Sequence, residues 1–235
     1  MNGEGAVIRN CREFLKKLGE TAKRCGRSIE DITVVAVSKT RPLEDVLEAA
    51  AAGMRHFGEN RVQEAEWKYA GIVRDFRLHM IGHLQSNKVR DAVGLFDVIQ
   101  SVDSIRLAEI LDREFDRAEK SGEIMLEVNT SGEPQKYGFA PQEVVAAADT
   151  IFEMGHVRLT GLMTVGPLTD DEAAIRDSFG ELRQLFDRIN AEHAGREEFV
   201  ALSMGMSDDY EIAVEEGATM IRVGRALFGP RITQG

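Results

Sequence analysis

One lysine, Lys39, follows a short apolar run at residues 34–37 and precedes Pro42. Such a run is typical of a strand buried on both faces of a parallel sheet, and proline is suited to the first turn of a helix. We therefore expect Lys39 at the carboxyl edge of a sheet, where α/β folds bind their ligands. A partly desolvated lysine amine can form a Schiff base with a carbonyl. The competing interpretation is a lysine that ends a strand with its ammonium group in water.

Two later segments are rich in the small residues that phosphate sites require. Residues 202–207 follow the seventh predicted strand, and residues 222–229 follow the eighth. In barrels these two loops recurrently bind phosphate through backbone N–H groups. Ser203 offers a hydroxyl donor, and Gly224 allows close approach of the backbone to an anion. The alternative is that these are ordinary loop glycines and serines. A lysine expected across the same mouth makes that alternative less favourable. A lysine facing a phosphate cradle suits a ligand with both an aldehyde and a phosphate, either pyridoxal 5′-phosphate (PLP) or a phosphorylated sugar.

The elements that position these residues alternate between strand and helix along the chain. Eight strands with long connections predict a single (β/α)8 TIM barrel, residues 1–235, with an extra N-terminal helix in residues 1–27 that packs on it. A doubly wound open sheet is the competitor, but it usually has fewer strands and a glycine-rich first turn. The predicted strands are residues 33–39, 55–57, 77–82, 96–101, 123–129, 158–163, 199–203 and 218–223.

Composition narrows the classes of function. The 235 residues are 43% hydrophobic and carry a net charge of −11, which disfavours binding to nucleic acid or anionic membrane. The sequence has no apolar run of the ~20 residues that span a bilayer and no secretory signal pattern. Cys11 and Cys25 lie too far apart on one predicted helix to form a disulfide. We expect a cytoplasmic, monomeric protein.

Six short blocks occur in order along nearly the whole chain. They are VAVSKT at 35–40, FGEN at 57–60, HMIGHLQSNK at 79–88, GLMT at 161–164, LSMGMSD at 202–208 and RVG at 222–224. Together they resemble the pyridoxal phosphate homeostasis protein family, the YggS/PROSC-like group of single-domain barrels. The resemblance implies a barrel like that of alanine racemase. Leu78 and Ala92 depart from the family's usual residues, but both are expected packing positions.

The resemblance implies that Lys39 carries PLP as a Schiff base and that Arg222 faces the pyridine nitrogen. A charged arginine there disfavours a protonated ring nitrogen, and an unprotonated ring is a weaker electron sink. That arrangement suits holding the cofactor more than stabilising carbanions. The resemblance also implies a cofactor-binding set around these two residues: Asn60 beside the ring, and Ser203, Met204 and the Gly224 and Arg225 amides at the phosphate.

Four other polar residues receive weaker interpretations. His79, inside a predicted strand, is expected to be a core histidine. For His83, at the mouth, a structural role and a role in the site are about equally favoured. Glu59 is expected to cap the following helix, with general acid as the alternative. Lys136, in the long loop after the fifth strand, is expected to be solvated; the alternative is a second amine near the cofactor.

Three functions remain open after this reasoning. A carrier would bind PLP and pass it to apo PLP-dependent enzymes without a dedicated catalytic activity. A racemase-like enzyme would need two positioned proton-transfer groups, and we expect no second domain to supply one after the eighth strand. A Schiff-base aldolase would keep Lys39 and the phosphate loops but lacks an evident acid and base. The sequence favours the carrier.

Overall fold

Eight parallel strands pair in chain order and close into a barrel because β1 pairs with both β2 and β8, in a computed structural model that describes residues 5–230. The predicted TIM barrel is therefore confirmed. The strands are β1 Thr33–Val37, β2 His56–Glu59, β3 Arg77–Met80, β4 Val98–Val102, β5 Gly122–Glu127, β6 Val157–Met163, β7 Ala201–Ser203 and β8 Met220–Val223.

Helices follow every strand and cover the outside of the barrel. They are α1 Ala6–Arg24, α2 Leu43–Ala51, α3 Val62–Tyr69, α4 Val89–Leu95, α5 Ile105–Arg117, α6 Val144–Phe152, α7 Glu172–Glu192, α8 Tyr210–Glu215 and α9 Arg225–Phe228. Short 3-10 turns cover Ile29–Asp31, Ser86–Lys88 and Pro141–Glu143. This alternation of strand and helix gives all neighbouring strands the same direction.

The predicted N-terminal helix is α1, which packs against α2, α8 and α9. Its buried face includes Cys11, Phe14 and Leu18, at the spacing of an amphipathic helix. The Asn10 side chain donates a hydrogen bond of 3.0 Å to the Leu227 carbonyl and so ties α1 to α9. This contact anchors α1 next to the loop that follows β8. Residues 1–4 and 231–235 of the predicted domain lie outside the described residues.

Side-chain alternation divides the core into two layers. A small set of apolar side chains fills the barrel interior, and a larger set lies between the strands and the helices. The interior set is Val35, Val98, Met125, Met163, Ala201 and Met220. Every second residue from these positions points toward the barrel axis, which brings the residues at the strand ends to one mouth.

The first strand is two residues shorter than predicted, because the chain turns after Val37. Thr40 adopts φ 63°, and the Arg41 amide donates a hydrogen bond to the Ser38 carbonyl. Lys39 therefore lies in the turn after β1 and not in the strand itself. No helix among residues 5–230 is long and apolar enough to cross a membrane. The same residues contain no cluster of three or more histidine, cysteine, aspartate or glutamate side chains that could hold a metal ion.

Candidate functional site

Lys39 stands at the carboxyl mouth of the barrel, half-buried, directly after β1. Val35 points into the barrel interior and the Ser38 side chain points outward, so alternation carries Lys39 to the inner side. Arg41 fixes the far end of this turn, because its buried guanidinium donates to the carbonyls of Gly229 and Pro230. The loop that carries Lys39 is thus joined to the segment after α9.

A buried ion pair that the sequence analysis missed anchors the residue next to Lys39. The Lys68 ammonium donates to the Ser38 carbonyl and to Glu59 Oε1, at 2.7 Å each. Glu59 Oε1 also accepts bonds from the Ser38 hydroxyl, at 2.7 Å, and from the Tyr69 hydroxyl, at 3.2 Å. The prediction that Glu59 caps the next helix is wrong, because its side chain points from β2 into the layer beneath α3. Burial raises the pKa of Glu59, and the Lys68 charge opposes that rise.

A second hydrogen-bonded group lies inside the barrel around Arg222. Its guanidinium donates to Ser203 Oγ at 2.7 Å and to the Thr164 carbonyl at 2.6 Å. Ser203 Oγ in turn donates to Gln100 Oε1 at 2.7 Å. Burial lowers the pKa of Arg222 to about 10, so the side chain stays charged at neutral pH. The structure therefore presents one fixed, buried positive charge at the mouth.

The chain of hydrogen bonds continues through two histidines toward the other end of the barrel. Gln100 Nε2 lies 2.9 Å from His79 Nδ1, and His79 Nε2 lies 2.9 Å from His56 Nδ1. Because an amide nitrogen can only donate, His79 Nδ1 must accept and its Nε2 carries the proton. Burial holds the pKa of His79 well below its ordinary value. His79 is therefore a neutral core histidine, as predicted, and Gln100 is a second residue that the sequence analysis missed.

The buried polar atoms that have no hydrogen-bond partner among the described residues include two at the carboxyl ends of β2 and β4. They are Asn60 Oδ1, just after β2, and Ser101 Oγ, in β4. Such groups are rare in proteins unless a ligand or water satisfies them. Asn60 was expected beside the cofactor, and its unsatisfied acceptor fits a polar ligand in the mouth.

Glu127, the last residue of β5, is a third residue of the candidate site that the sequence analysis did not identify. The residue is 8% exposed, and its Oε2 has no hydrogen-bond partner within residues 5–230. Burial and the nearby Asp103 charge raise the pKa of Glu127 to about 7, while the Arg222 charge opposes them. The sequence signal that could have found it is an acid at the carboxyl end of an apolar strand, two residues after the inward-facing Met125.

The loops after β7 and β8, where the sequence places small residues, turn tightly and approach neighbouring elements closely. Gly205 adopts φ 93°, and a Cβ there would lie 2.5 Å from the Ala213 side chain. A Cβ on Gly224 would lie 3.3 Å from the Val37 carbonyl, so this loop approaches the end of β1 closely. Arg225 begins α9, and its exposed side chain pairs with Asp208.

Met204 is not brought to the mouth. Its amide donates to the Met220 carbonyl at 3.1 Å, and its fully buried side chain joins the core between strands and helices. The Ser203 hydroxyl lies deeper than a surface phosphate loop and is shared between Gln100 and Arg222. The remaining predicted residues converge on the mouth or its rim; these are Lys39, Asn60, Ser203, Arg222, Gly224 and Arg225.

The loops over the mouth are joined by a stacked pair of rings. His83 and Tyr137 stack with centroids 3.7 Å apart and an interplanar angle of 11°. His83 Nδ1 lies 3.0 Å from Asp103 Oδ2, which joins the loops after β3 and β4 as well. Lys136 is not simply solvated, because its ammonium donates to the Gly166 carbonyl at 2.9 Å and pairs with Glu133.

Comparison with known proteins agrees with the barrel fold. The family described as alanine racemase, N-terminal domain, matches residues 15–231. An alanine racemase of Clostridium difficile superposes with a TM-score of 0.74 at 16% identity, over 94% of this chain and 57% of that one. At this identity the likeness shows the barrel fold alone.

Closer relatives match along nearly the whole length. The pyridoxal phosphate homeostasis protein of Pseudomonas aeruginosa is 40% identical over 227 residues, which is 96% of each chain. That of Aquifex aeolicus is 35% identical over 218 residues, or 92% of this chain and 95% of the other. PipY of Synechococcus elongatus, in a structure with PLP bound, has a TM-score of 0.83 at 38% identity, over 95% of this chain and all of that one. This chain therefore belongs to the pyridoxal phosphate homeostasis protein family.

Proposed function

We propose that this protein binds PLP at the mouth of its barrel, as a Schiff base on Lys39, and passes it to apo PLP-dependent enzymes in intracellular PLP homeostasis. The observation that carries the proposal is the convergence of Lys39, the buried Arg222 and the loop at Gly224 on one mouth. PipY, 38% identical to this chain, has a structure with PLP bound. Bound PLP supplies an aldehyde that reacts reversibly with primary amines.

The proposal gives each residue a role that is compatible with its position. Lys39 supplies the amine, and the Ser38 carbonyl bonded to Lys68 keeps its turn in place. Arg222 faces the ring nitrogen with a guanidinium that Ser203 and Thr164 hold still. Asn60 lies at the ring edge, where its unpartnered Oδ1 can accept a hydrogen bond.

The phosphate is assigned to the rim of the mouth. The Gly224 and Arg225 amides, at the start of α9, bind it, and Gly224 permits the close approach. Ser203 is the side-chain donor to the phosphate in this proposal. Its single O–H now donates to Gln100 Oε1, so it would exchange that bond for the phosphate and still accept from Arg222.

Arg222 is also the observation that favours a carrier over a racemase-like enzyme. Its pKa of about 10 keeps it charged in the neutral pH range. A positive charge at the ring nitrogen opposes protonation of that nitrogen and weakens the ring as an electron sink. A stronger electron sink favours exchange of an amino acid's α-proton, whereas holding and releasing an aldehyde does not need one.

Borohydride reduction followed by peptide mapping tests the binding mode. We expect a pyridoxyl adduct on Lys39 in the wild type and its loss in Lys39→Ala. Lys136→Ala is the matched control, since Lys136 is another amine near the mouth, and it should leave the Lys39 adduct in place. An adduct found on Lys136 or on surface lysines alone would refute the assignment.

Two solution measurements then separate the carrier from the racemase-like enzyme. The loaded protein should restore the activity of an apo PLP-dependent enzyme when the two are mixed. Deuterium exchange at the α-carbon of L-alanine, followed by NMR, should stay far below the ~1–10³ s⁻¹ of typical enzymes. Fast exchange that disappears in Lys39→Ala would instead establish the racemase-like activity.

A further inference from the structure

Glu127 carries a carboxyl group whose interactions within the protein are incomplete. It is the last residue of β5, it is nine-tenths buried, and its Oε2 has no hydrogen-bond partner among the residues that the structure describes. Met125, two residues earlier on β5, points into the barrel interior, so alternation points Glu127 inward at the mouth as well. A buried carboxylate is normally paired with a cation or with several donors. The pattern at Glu127 therefore indicates a group that is completed by a ligand.

A small cavity lies beside this carboxyl group. Its volume is about 190 Å³, and Glu127, Asn129, Lys136, Tyr137 and Val165 line it. Val165 also packs against the apolar side chains of the barrel interior, so the cavity lies at the carboxyl end of that interior. At ~30 Å³ per water molecule in the liquid, this space corresponds to about six waters, or a short unbranched chain.

In the part of the chain that the structure describes, the charged groups nearest Glu127 pair with other residues. Arg222, across the mouth on β8, directs its donors to Ser203 and the Thr164 carbonyl. Lys136, from the loop above, is held by the Gly166 carbonyl and Glu133. Asp103, after β4, adds a second negative charge, and it is bonded in turn to His83. Lys39 enters the mouth from β1, on the opposite side of the barrel.

We propose that Glu127 binds the ammonium group of a primary alkylamine that enters the mouth beside the cofactor site. The carboxylate supplies the charge and a strong acceptor, and the cavity takes the alkyl chain. A metal ion fits less well, because the described residues hold no cluster of three acidic, histidine or cysteine ligands. The inference depends on the proposed function only for its biological role: a primary amine bound at Glu127 could accept the PLP aldehyde from Lys39.

Binding of n-butylammonium, measured by ligand-observed NMR on the full-length protein, tests the proposal. One sample is free of PLP, and the second is loaded with PLP and reduced with borohydride so that no exchange can occur. At pH 8 we expect n-butylammonium to bind at least tenfold more tightly than n-butanol, its neutral analogue. Glu127→Gln should remove this preference. Glu123→Gln, at the other end of the same strand, should keep it.

The pH dependence provides a readout on the wild type that needs no variant. The pKa of Glu127 is raised to about 7, so its ionised fraction rises from about 0.1 at pH 6 to about 0.9 at pH 8. The amine stays protonated over this range. Binding of n-butylammonium should therefore be about tenfold weaker at pH 6 than at pH 8, and binding of n-butanol should not change.

Two further probes identify the source of the amine. Nα-acetyl-L-lysine amide represents a protein lysine, and L-alanine represents a free amino acid; Glu127-dependent binding of either supports the proposal. Equal affinities for n-butylammonium and n-butanol, an unchanged preference in Glu127→Gln, or no pH dependence would overturn it. A protein that fails to take up PLP but binds n-butylammonium through Glu127 would refute the proposed function and leave this inference standing.

Discussion

Replacing Lys68 by methionine should destabilise the protein strongly and more so at high pH. The side chains of Lys68 and Glu59 are 1% and 0% exposed, and the ammonium makes two bonds of 2.7 Å within this cluster. Methionine keeps most of the volume but removes the charge. Breaking a buried ion pair in this way costs about 3–5 kcal/mol, because the remaining charge is uncompensated.

The pH dependence follows from the state of Glu59. Its pKa is already raised by burial, and loss of the Lys68 charge, which opposes that rise, must raise it further. A group whose pKa is higher in the folded than in the unfolded state stabilises the fold at low pH, and this stabilisation is lost as pH increases. The cost of Lys68→Met should therefore be small near pH 5, where Glu59 can be neutral, and largest near pH 8.

Urea unfolding at pH 5 and pH 8 measures both effects. The double variant Glu59→Gln, Lys68→Met should recover at least about 2 kcal/mol of the single variant's loss at pH 8, because no buried charge remains. Lys88→Met is the matched control: its pair with Asp91 is 3.7 Å long and partly exposed, and its loss should cost less than about 1 kcal/mol. A Lys68→Met protein that unfolds within 1 kcal/mol of the wild type at pH 8 would refute this reasoning.

Two other substitutions test the group inside the barrel. Ser203→Ala should weaken PLP binding by about 1–3 kcal/mol, measured by equilibrium titration, and should weaken pyridoxal binding less. Equal weakening of both ligands would show that Ser203 only positions Arg222 and does not bind the phosphate. Gln100→Leu should lower the free energy of unfolding by about 1–3 kcal/mol, because it leaves buried partners at His79 and Ser203 unsatisfied, whereas an unchanged urea midpoint would contradict the hydrogen-bond chain.

The barrel and much of its mouth could be predicted because both depend on local pattern. Strand and helix periodicity places Lys39 and Arg222 at strand ends, and parallel strands bring all such ends to one side. Even the shortened β1 keeps its register, since the turn at Thr40 changes where the strand stops and not which way Lys39 faces. The prediction for Met204 failed because alternation from Ser203 turns the Met204 side chain away from the mouth and toward the helices.

The missed residues depend on contacts between distant parts of the chain. Lys68 looks like a solvated helix lysine in the sequence, and only the packing of α3 over the ends of β1 and β2 buries it against Glu59. Gln100 lies inside a strand, and its role depends on hydrogen bonds to His79 and Ser203 on other strands. Burial of a polar group is a property of the assembled layers, which periodicity along one element cannot supply.

In the proposed function, the two hydrogen-bonded groups would fix the orientation of an aldehyde ligand bound at Lys39. The cluster of Lys68 and Glu59 lies outside the barrel wall and fixes the backbone just before Lys39. The chain from Gln100 through Ser203 lies inside the wall and fixes the Arg222 guanidinium. The amine and the charge that would contact opposite ends of a ring are thus held by separate sets of bonds. A substitution in one set should alter its own contact to the ligand and leave the other in place, because the two sets share no residue.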